Sequence, residues 1–384
     1  MPLTFTPEQE ELGAVVRRFL ATHSDEAQVR AQMQTPTGYD AAVWKLMADQ
    51  LGVQSLAIPE EYGGAGFGFG DLSVVLEEAG RALFCAPLFS TVVLGVTTLL
   101  QSGDTEAAEA FLPGIADGRT IATLALIEEG GRWSEDGIQV RARRDGADFR
   151  ISGCKPYVLD GVDADLVIVA ARTDAGTSLF TVDPSDGGVA ATALPTLDQT
   201  RRQASLILSD ARATLLGVEG QGWRVLSRVL DVAAVALACE QVGGAARVLE
   251  STVDYVKVRE QFGRPIGSFQ AVKHRLADML VELESARSAA YYATTAVESG
   301  SPDLPLAASI AKAYCSTAYY HIAAQSIQLH GGIGFTWEHP AHLYFKRAKG
   351  SEALLGSPAY HRELIARRLL DERPEVSTGP GQGL

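Results

Sequence analysis

A helical first third, a β-rich centre and a closing bundle of long helices is the architecture this sequence predicts. Three observations predict it. Up to about residue 119 the apolar residues recur at helical spacing between polar turns. From about Thr120 short β-rich runs follow one another at strand-and-turn intervals. Near Gly222 the pattern returns to long helical segments, and 384 residues exceed what one ordinary core takes up. The expected units are an all-α domain over 1–119, a β-barrel or sandwich over 120–222 and a four-helix bundle over 223–371.

In the first unit Thr6 supplies a capping hydroxyl, Pro7 opens the first turn and Gln9 completes a capping box, so a helix is expected over 7–22. A second runs from about Tyr39 to Leu51 and stops at Gly52. A third begins near Asp71, after IPEEYGGAGFGFG. That glycine run has neither the dinucleotide fingerprint nor a Lys-Ser/Thr ending, so it reads as a turn and not a phosphate loop. In the centre, TIATLALI, GIQVRA, DFRISG, DLVIVAA, SLFTVD and RQASLIL are the expected strands. Bundle helices are expected over 223–256, 268–298, 304–330 and 359–371, with Ser301-Pro302-Asp303 opening the third. The tail over 372–384 has no apolar periodicity and is expected to be disordered.

Hydrophobic residues at 46% and charged residues at 21% give the balance of a packed globular chain. A net charge of −14 argues against a protein held mainly by nucleic acid or an anionic membrane, because those partners carry the same sign. Any anionic ligand must then be met by a local basic site. The opening MPLTFTPEQEEL lacks the basic and apolar regions of a secretory signal, and no window reaches roughly 18 uninterrupted apolar residues. A cytoplasmic location is the expectation. Cys85, Cys154, Cys239 and Cys315 are scattered, which fits buried thiols better than disulfides or zinc. His339 and His342 have no third ligand nearby, so no metal site is expected.

Two segments of the last unit carry chemistry. Arg259–Met279, REQFGRPIGSFQAVKHRLADM, sets Arg259 with two glutamines and two phenylalanines at the head of an amphipathic segment. Its apolar residues Phe269, Val272, Leu276, Met279, Leu280 and Leu283 are spaced as one buried helix face. A guanidinium offers a planar fork of donors suited to a diphosphate. The second segment, QLHGGIGFTWEHPAHLYFKRAK from Gln328 to Lys349, contains Gly331 and Gly332, where the missing Cβ lets backbone N–H groups come close to an anion.

With the helix, barrel, bundle order and IPEEYGGAG near residue 60, these segments resemble the acyl-CoA dehydrogenase family. The first looks like its Arg-x-x-Phe-Gly element and the second like its Gln-x-x-Gly-Gly-x-Gly-Phe element. The resemblance spans essentially the whole chain. It implies an acyl-CoA dehydrogenase-like fold, FAD bound across a subunit interface and α,β-desaturation of an acyl-CoA thioester by a carboxylate base. It also implies reoxidation by an electron-transferring flavoprotein and assembly as a dimer of dimers. By the resemblance, Arg259 would reach the FAD diphosphate and Phe262 and Gln270 would line the adenosine side. Gln328, Gly331 and Gly332 would approach the pyrophosphate. Nothing resembles a Rossmann fingerprint, so FAD rests on the resemblance alone.

The chain also departs from that pattern. Where the family places its base, a Glu before Gly-Thr, this chain has Leu355, Gly356 and Ser357. The alternative base position on the first bundle helix falls on Ala233, and a neighbouring acyl-pocket arginine on Ala234. Beside the flavin ring the family has Thr-Glu-Pro running to Gly-Ser, and Lys-x-Trp-Ile-Thr. Here stand Leu126 to Trp133, LIEEGGRW, and Lys155-Pro156-Tyr157-Val158-Leu159. Leucine cannot hydrogen-bond a flavin edge. The nearest carboxylates, Glu352 and Asp231, are expected to be solvated or structural charges, Glu240 a buried paired one, and Cys154 a packed thiol. Ala233, Ala234, Ala236 and Ala238 either leave room for a bulky acyl group or mark tight helix packing.

Two readings follow. In one, the chain is a self-sufficient homo-oligomeric acyl-CoA dehydrogenase with its base relocated to Glu352 or Asp231. In the other, it resembles the non-catalytic subunits of heteromeric actinobacterial sterol and bile-acid side-chain enzymes. It then keeps the adenosine half of the FAD site, and a second dehydrogenase-like subunit of a hetero-tetramer supplies the ring pocket and base. The departures favour the second.

Overall fold

The computed structural model describes residues 5–371, so the expectation for the tail over 372–384 lies outside the described residues. The chain opens with α1 (Pro7–His23), α2 (Glu26–Gln34), α3 (Ala41–Leu51) and α4 (Phe69–Arg81). A buried π-helical stretch, Phe89–Gly95, then runs into α5 (Val96–Ser102), followed by α6 (Thr105–Ala116). The expected capping box forms: the Gln9 N–H donates to Thr6 Oγ1 at 3.3 Å and the Thr6 N–H to Gln9 Oε1 at 3.1 Å. Gly52 ends α3 in the left-handed region at φ 61°. Gly63, Gly64 and Gly66 lie in a turn and loop, while Gly68 is the N-cap of α4 and Gly70 lies in its first turn, so α4 begins two residues before Asp71, at Phe69.

The central strands are β1 (Ala122–Ala125), β2 (Arg141–Asp145), β3 (Asp148–Leu159), β4 (Leu166–Thr173), β5 (Gly176–Val182), β6 (Val189–Ala193) and β7 (Gln203–Leu216). Pairing runs β4-β2-β3-β7-β5 and returns from β5 to β4, which closes a barrel; β1 lies parallel on β4 and β6 antiparallel on β7. Phe149, Ile151, Val167, Val169, Phe180 and Leu206 fill its interior. Cys154 is exposed, against expectation, whereas Cys85, Cys239 and Cys315 are buried. Register shifts in β3 on both sides of Cys154 re-aim the strand, and its partner in β7 is the equally outward Ile207.

The last unit holds α7 (Gly222–Val258), a hairpin of β8 (Glu260–Gln261) and β9 (Arg264–Pro265), α8 (Gln270–Glu298), α9 (Leu304–His330), α10 (Ala341–Ala353) and α11 (Pro358–Asp371). Five helices stand where four were expected. The extra one, α10, escaped because Lys346, Arg347, Lys349 and Glu352 break its apolar periodicity, although Arg347 is buried. The middle of α7 is buried from Val232 to Ala246. There α4 crosses at backbone contact: a Cβ on Gly243 would lie 1.7 Å from the Glu77 carbonyl oxygen, and one on Gly80 2.0 Å from that of Glu240. Ala233, Ala234, Ala236 and Ala238 belong to this core, so they mark tight packing. Among the described helices α7 is long and apolar enough to cross a membrane by composition, yet 89% of its most apolar window is buried in the fold.

The expected buried face of α8 is corrected as well. Met279 and Leu283 are buried, Val272 and Leu276 are half-buried, and Leu280 is exposed. The N-terminal turns of α8 extend past the helices that cover the rest of it.

Candidate functional site

Arg259 caps the C-terminus of α7, its N–H donating to the Tyr255 carbonyl at 2.9 Å. The chain then makes a two-residue hairpin turn through Phe262 (φ 56°) and Gly263 (φ 74°), the signs of a type I′ turn. Phe262 holds a left-handed backbone without the freedom of glycine, at a cost of about 1–2 kcal/mol, and its side chain is 92% exposed. It meets Phe269 edge-on at 6.1 Å, and Arg264 lies 4.0 Å over the Phe269 ring. Gln270 is the first residue of α8 and exposed.

The second segment comes alongside at the end of α9. The Tyr255 hydroxyl donates to the His330 carbonyl at 3.2 Å, and the two rings lie 4.3 Å apart. Gln328, Gly331 and Gly332 are exposed, and a Cβ at either glycine would meet nothing within 4 Å. Arg259 makes no ion pair among the described residues. An uncommitted guanidinium beside open glycine backbone is a donor set that fits a diphosphate. Phe335 (86% exposed) and Trp337 (57%) extend the surface with apolar area.

The residues set beside the flavin ring and base are different in kind. Leu355 follows α10 at φ 60° with its side chain 5% exposed. From beneath, the fully buried Lys312 donates to the Glu352 and Gly356 carbonyls at 3.2 and 3.0 Å and to Ser316 Oγ at 3.0 Å. His361 Nε2 lies 2.9 Å from the Leu355 carbonyl. Burial pulls the Lys312 ammonium down to about 7 and the His361 ring down to about 4. Leu126, Ile127 and Leu159 are buried apolar side chains and offer a flavin edge no side-chain hydrogen bond. Lys155 is buried against Glu128 at 2.7 Å. A cleft of about 440 Å³ remains between Tyr157 and Leu197 on the barrel and Gly350, Ala353 and Leu354 on the α10 side. Its carboxylate, Asp198, accepts from Arg347 Nε at 2.8 Å.

The candidate acids are scattered. Glu352 pairs with Lys349 at 3.0 Å. Asp231 is half-buried, and burial pushes it up to about 6 against the pull of Arg368 and Arg228. Ala233 is fully buried. Glu240 is the buried, paired carboxylate expected: it accepts from Arg201 and, at 2.9 Å, from Arg347 Nη1. Sequence reasoning missed Asp160. It accepts from Ser90 Oγ at 2.6 Å, has a left-handed φ of 50°, and burial pushes it up to about 7. The only signal was an acid directly after an apolar strand. His339 lies against His330 with the rings tilted at 49°, His342 stacks on Trp337, and no group of three metal-binding side chains converges among the described residues.

Comparison with known proteins agrees in fold and sequence. The acyl-CoA dehydrogenase N-terminal domain matches residues 6–119 and the acyl-CoA dehydrogenase C-terminal domain matches residues 220–370. Acyl-CoA dehydrogenase IpdE2 of Mycolicibacterium smegmatis is 38% identical over 361 residues, 94% of this chain and 97% of the relative. Among solved structures, the ChsE4-ChsE5 complex from Mycobacterium tuberculosis superposes with a TM-score of 0.89 at 31% identity, covering 97% of this chain and 100% of its counterpart. A variant of the Tcur3481-Tcur3483 steroid ACAD superposes with a TM-score of 0.85 at 33% identity, covering 95% and 98%. The chain therefore belongs to the acyl-CoA dehydrogenase family of FAD-dependent oxidoreductases.

Proposed function

We propose that this chain is the non-catalytic subunit of a cytoplasmic heteromeric acyl-CoA dehydrogenase, built of units over 1–119, 120–222 and 223–371. It holds the adenosine side of FAD with Arg259, Phe262, Gln270, Gln328, Gly331 and Gly332. A second family subunit completes the site in a hetero-tetramer and supplies the catalytic carboxylate. FAD, when bound, supplies the hydride acceptor for α,β-desaturation of an acyl-CoA, and an electron-transferring flavoprotein removes the electrons. The observation that carries this reading is Leu355. Lys312 and His361 fix the backbone of its turn, yet the side chain presented there can neither take nor hold a proton. The likeness to the ChsE4-ChsE5 complex and to a steroid ACAD supports a two-chain assembly and a bulky, steroid-derived acyl group.

One observation favours a self-sufficient enzyme: the 440 Å³ cleft beside Tyr157 and Leu354. The two readings separate on expression. Alone, the protein is expected to be colourless and inactive in dye reduction with a panel of acyl-CoAs; with its partner it is expected to gain flavin absorbance and activity. Yellow protein that oxidises an acyl-CoA alone, and loses that activity on Asp231→Asn or Glu352→Gln, overturns the proposal.

A further inference from the structure

Where the N-terminal helices meet the bundle, α1, α2, α4, α7 and the start of α10 enclose a cavity of about 430 Å³. It shares no lining residue with the FAD half-site or with the Tyr157 cleft. The volume lies within the ~300–1,000 Å³ of small-molecule sites. Its lumen is apolar, walled by Leu20, Val29, Leu83, Val248, Leu343 and the ring of Tyr344. Most charges at the mouth are already matched. Arg17 is held by Glu78 at 2.5 Å, Arg81 by Glu250, and Glu26 by Arg30 at 2.8 Å. Asp25 caps α2 by accepting the Gln28 N–H at 2.8 Å. Burial and the neighbouring His330 lower the pKa of His339. Arg247 is the exception: among the described residues it has no carboxylate in ion-pair range. Beside it stands Tyr344, whose hydroxyl donates to the Arg81 carbonyl at 2.8 Å.

A guanidinium outside ion-pair range of any carboxylate, with the nearby Glu250 already bonded by Arg81, at the mouth of an apolar cavity matches a molecule with an apolar body and one terminal carboxylate. We propose that this cavity binds a medium-chain free carboxylic acid, its chain in the lumen and its carboxylate on Arg247. A CoA thioester of the same chain has no carboxylate to offer, so the site distinguishes free acid from acyl-CoA. The inference is independent of which subunit carries the base.

Decanoate, decanol and decanoyl-CoA titrated into the full-length chain, by calorimetry and thermal shift, test it. Decanoate is expected to bind one to one and raise the melting temperature, with decanol and decanoyl-CoA at least about tenfold weaker, the scale of a lost charge-assisted hydrogen bond. Arg247→Gln, at an exposed position, is expected to weaken decanoate about tenfold or more, and Val248→Trp, which fills the lumen, to abolish binding. Absence of saturable decanoate binding overturns the proposal. So does equal binding of decanoate and decanol with no effect of Arg247→Gln, which reports an unspecific apolar void. If Val248→Trp does not fold, the Arg247→Gln comparison decides alone.

Discussion

Phe262 and Leu355 share an unfavourable left-handed backbone but differ in what surrounds them. Phe262 stands 92% exposed at a hairpin tip, so its strain is offset only if something covers the ring. Leu355 is packed inside, and its strain is offset by the hydrogen bonds that Lys312 and His361 make to its turn. Asp160 shows a third case, a carboxyl that burial holds up to about 7. An ordinary aspartate titrates near 3.9, so between about pH 4 and 7 the native state binds more protons here than the unfolded chain. Stability contributed by this group is present at low pH and lost as pH rises through that window, by up to about 1.4 kcal/mol per pH unit. Asp231, held up to about 6, adds in the same direction. Urea unfolding is expected to show the parent protein less stable at pH 7 than at pH 5, with Asp160→Asn flattening that decline.

At the scale of elements, the crossing of α4 and α7 explains the small residues that the sequence left ambiguous. Gly80 and Gly243 let the two backbones touch, and the alanines around them follow from that closeness. Gly243→Ala pushes a methyl group into the Glu77 carbonyl, which neither helix can vacate without separating. A loss of about 3 kcal/mol, the upper end for an overpacked core, is expected in the denaturant midpoint. Gly103→Ala is the comparison, since a Cβ there meets nothing within 4 Å and only its positive φ, at about 1–2 kcal/mol, counts against it. The outer face of α8 is the opposite situation. Met279 is fully buried against the bundle, while its neighbours Leu280 and Val281 lie on the other side of the helix and are open to solvent.

For the whole molecule, Arg347 joins the units. Buried on α10, it bonds Asp198 and Thr200 from the barrel and Glu240 from α7, while Arg201 reaches from the barrel to Glu240 as well. Burial opposes its charge, but Asp198 and Glu240 outweigh that and hold its pKa above that of a free arginine. Arg347→Met strands Asp198 away from water and is expected to cost about 3–5 kcal/mol, read as a lower denaturant midpoint with the secondary structure retained at zero denaturant. The sequence by itself determined the order of helices, barrel and bundle, because periods of 3.6 and 2 are local properties of the chain. It also determined the chemical types at Arg259, Phe262, Gly331 and Leu355, because those are written in the residues. Tertiary structure alone decided that Arg347 is a buried joint and α10 a helix, that the alanines of α7 face packing and not a pocket, and that Lys312 lies under residue 355. Each of those depends on which distant side chain or backbone comes within a few ångströms, and no local pattern encodes that distance.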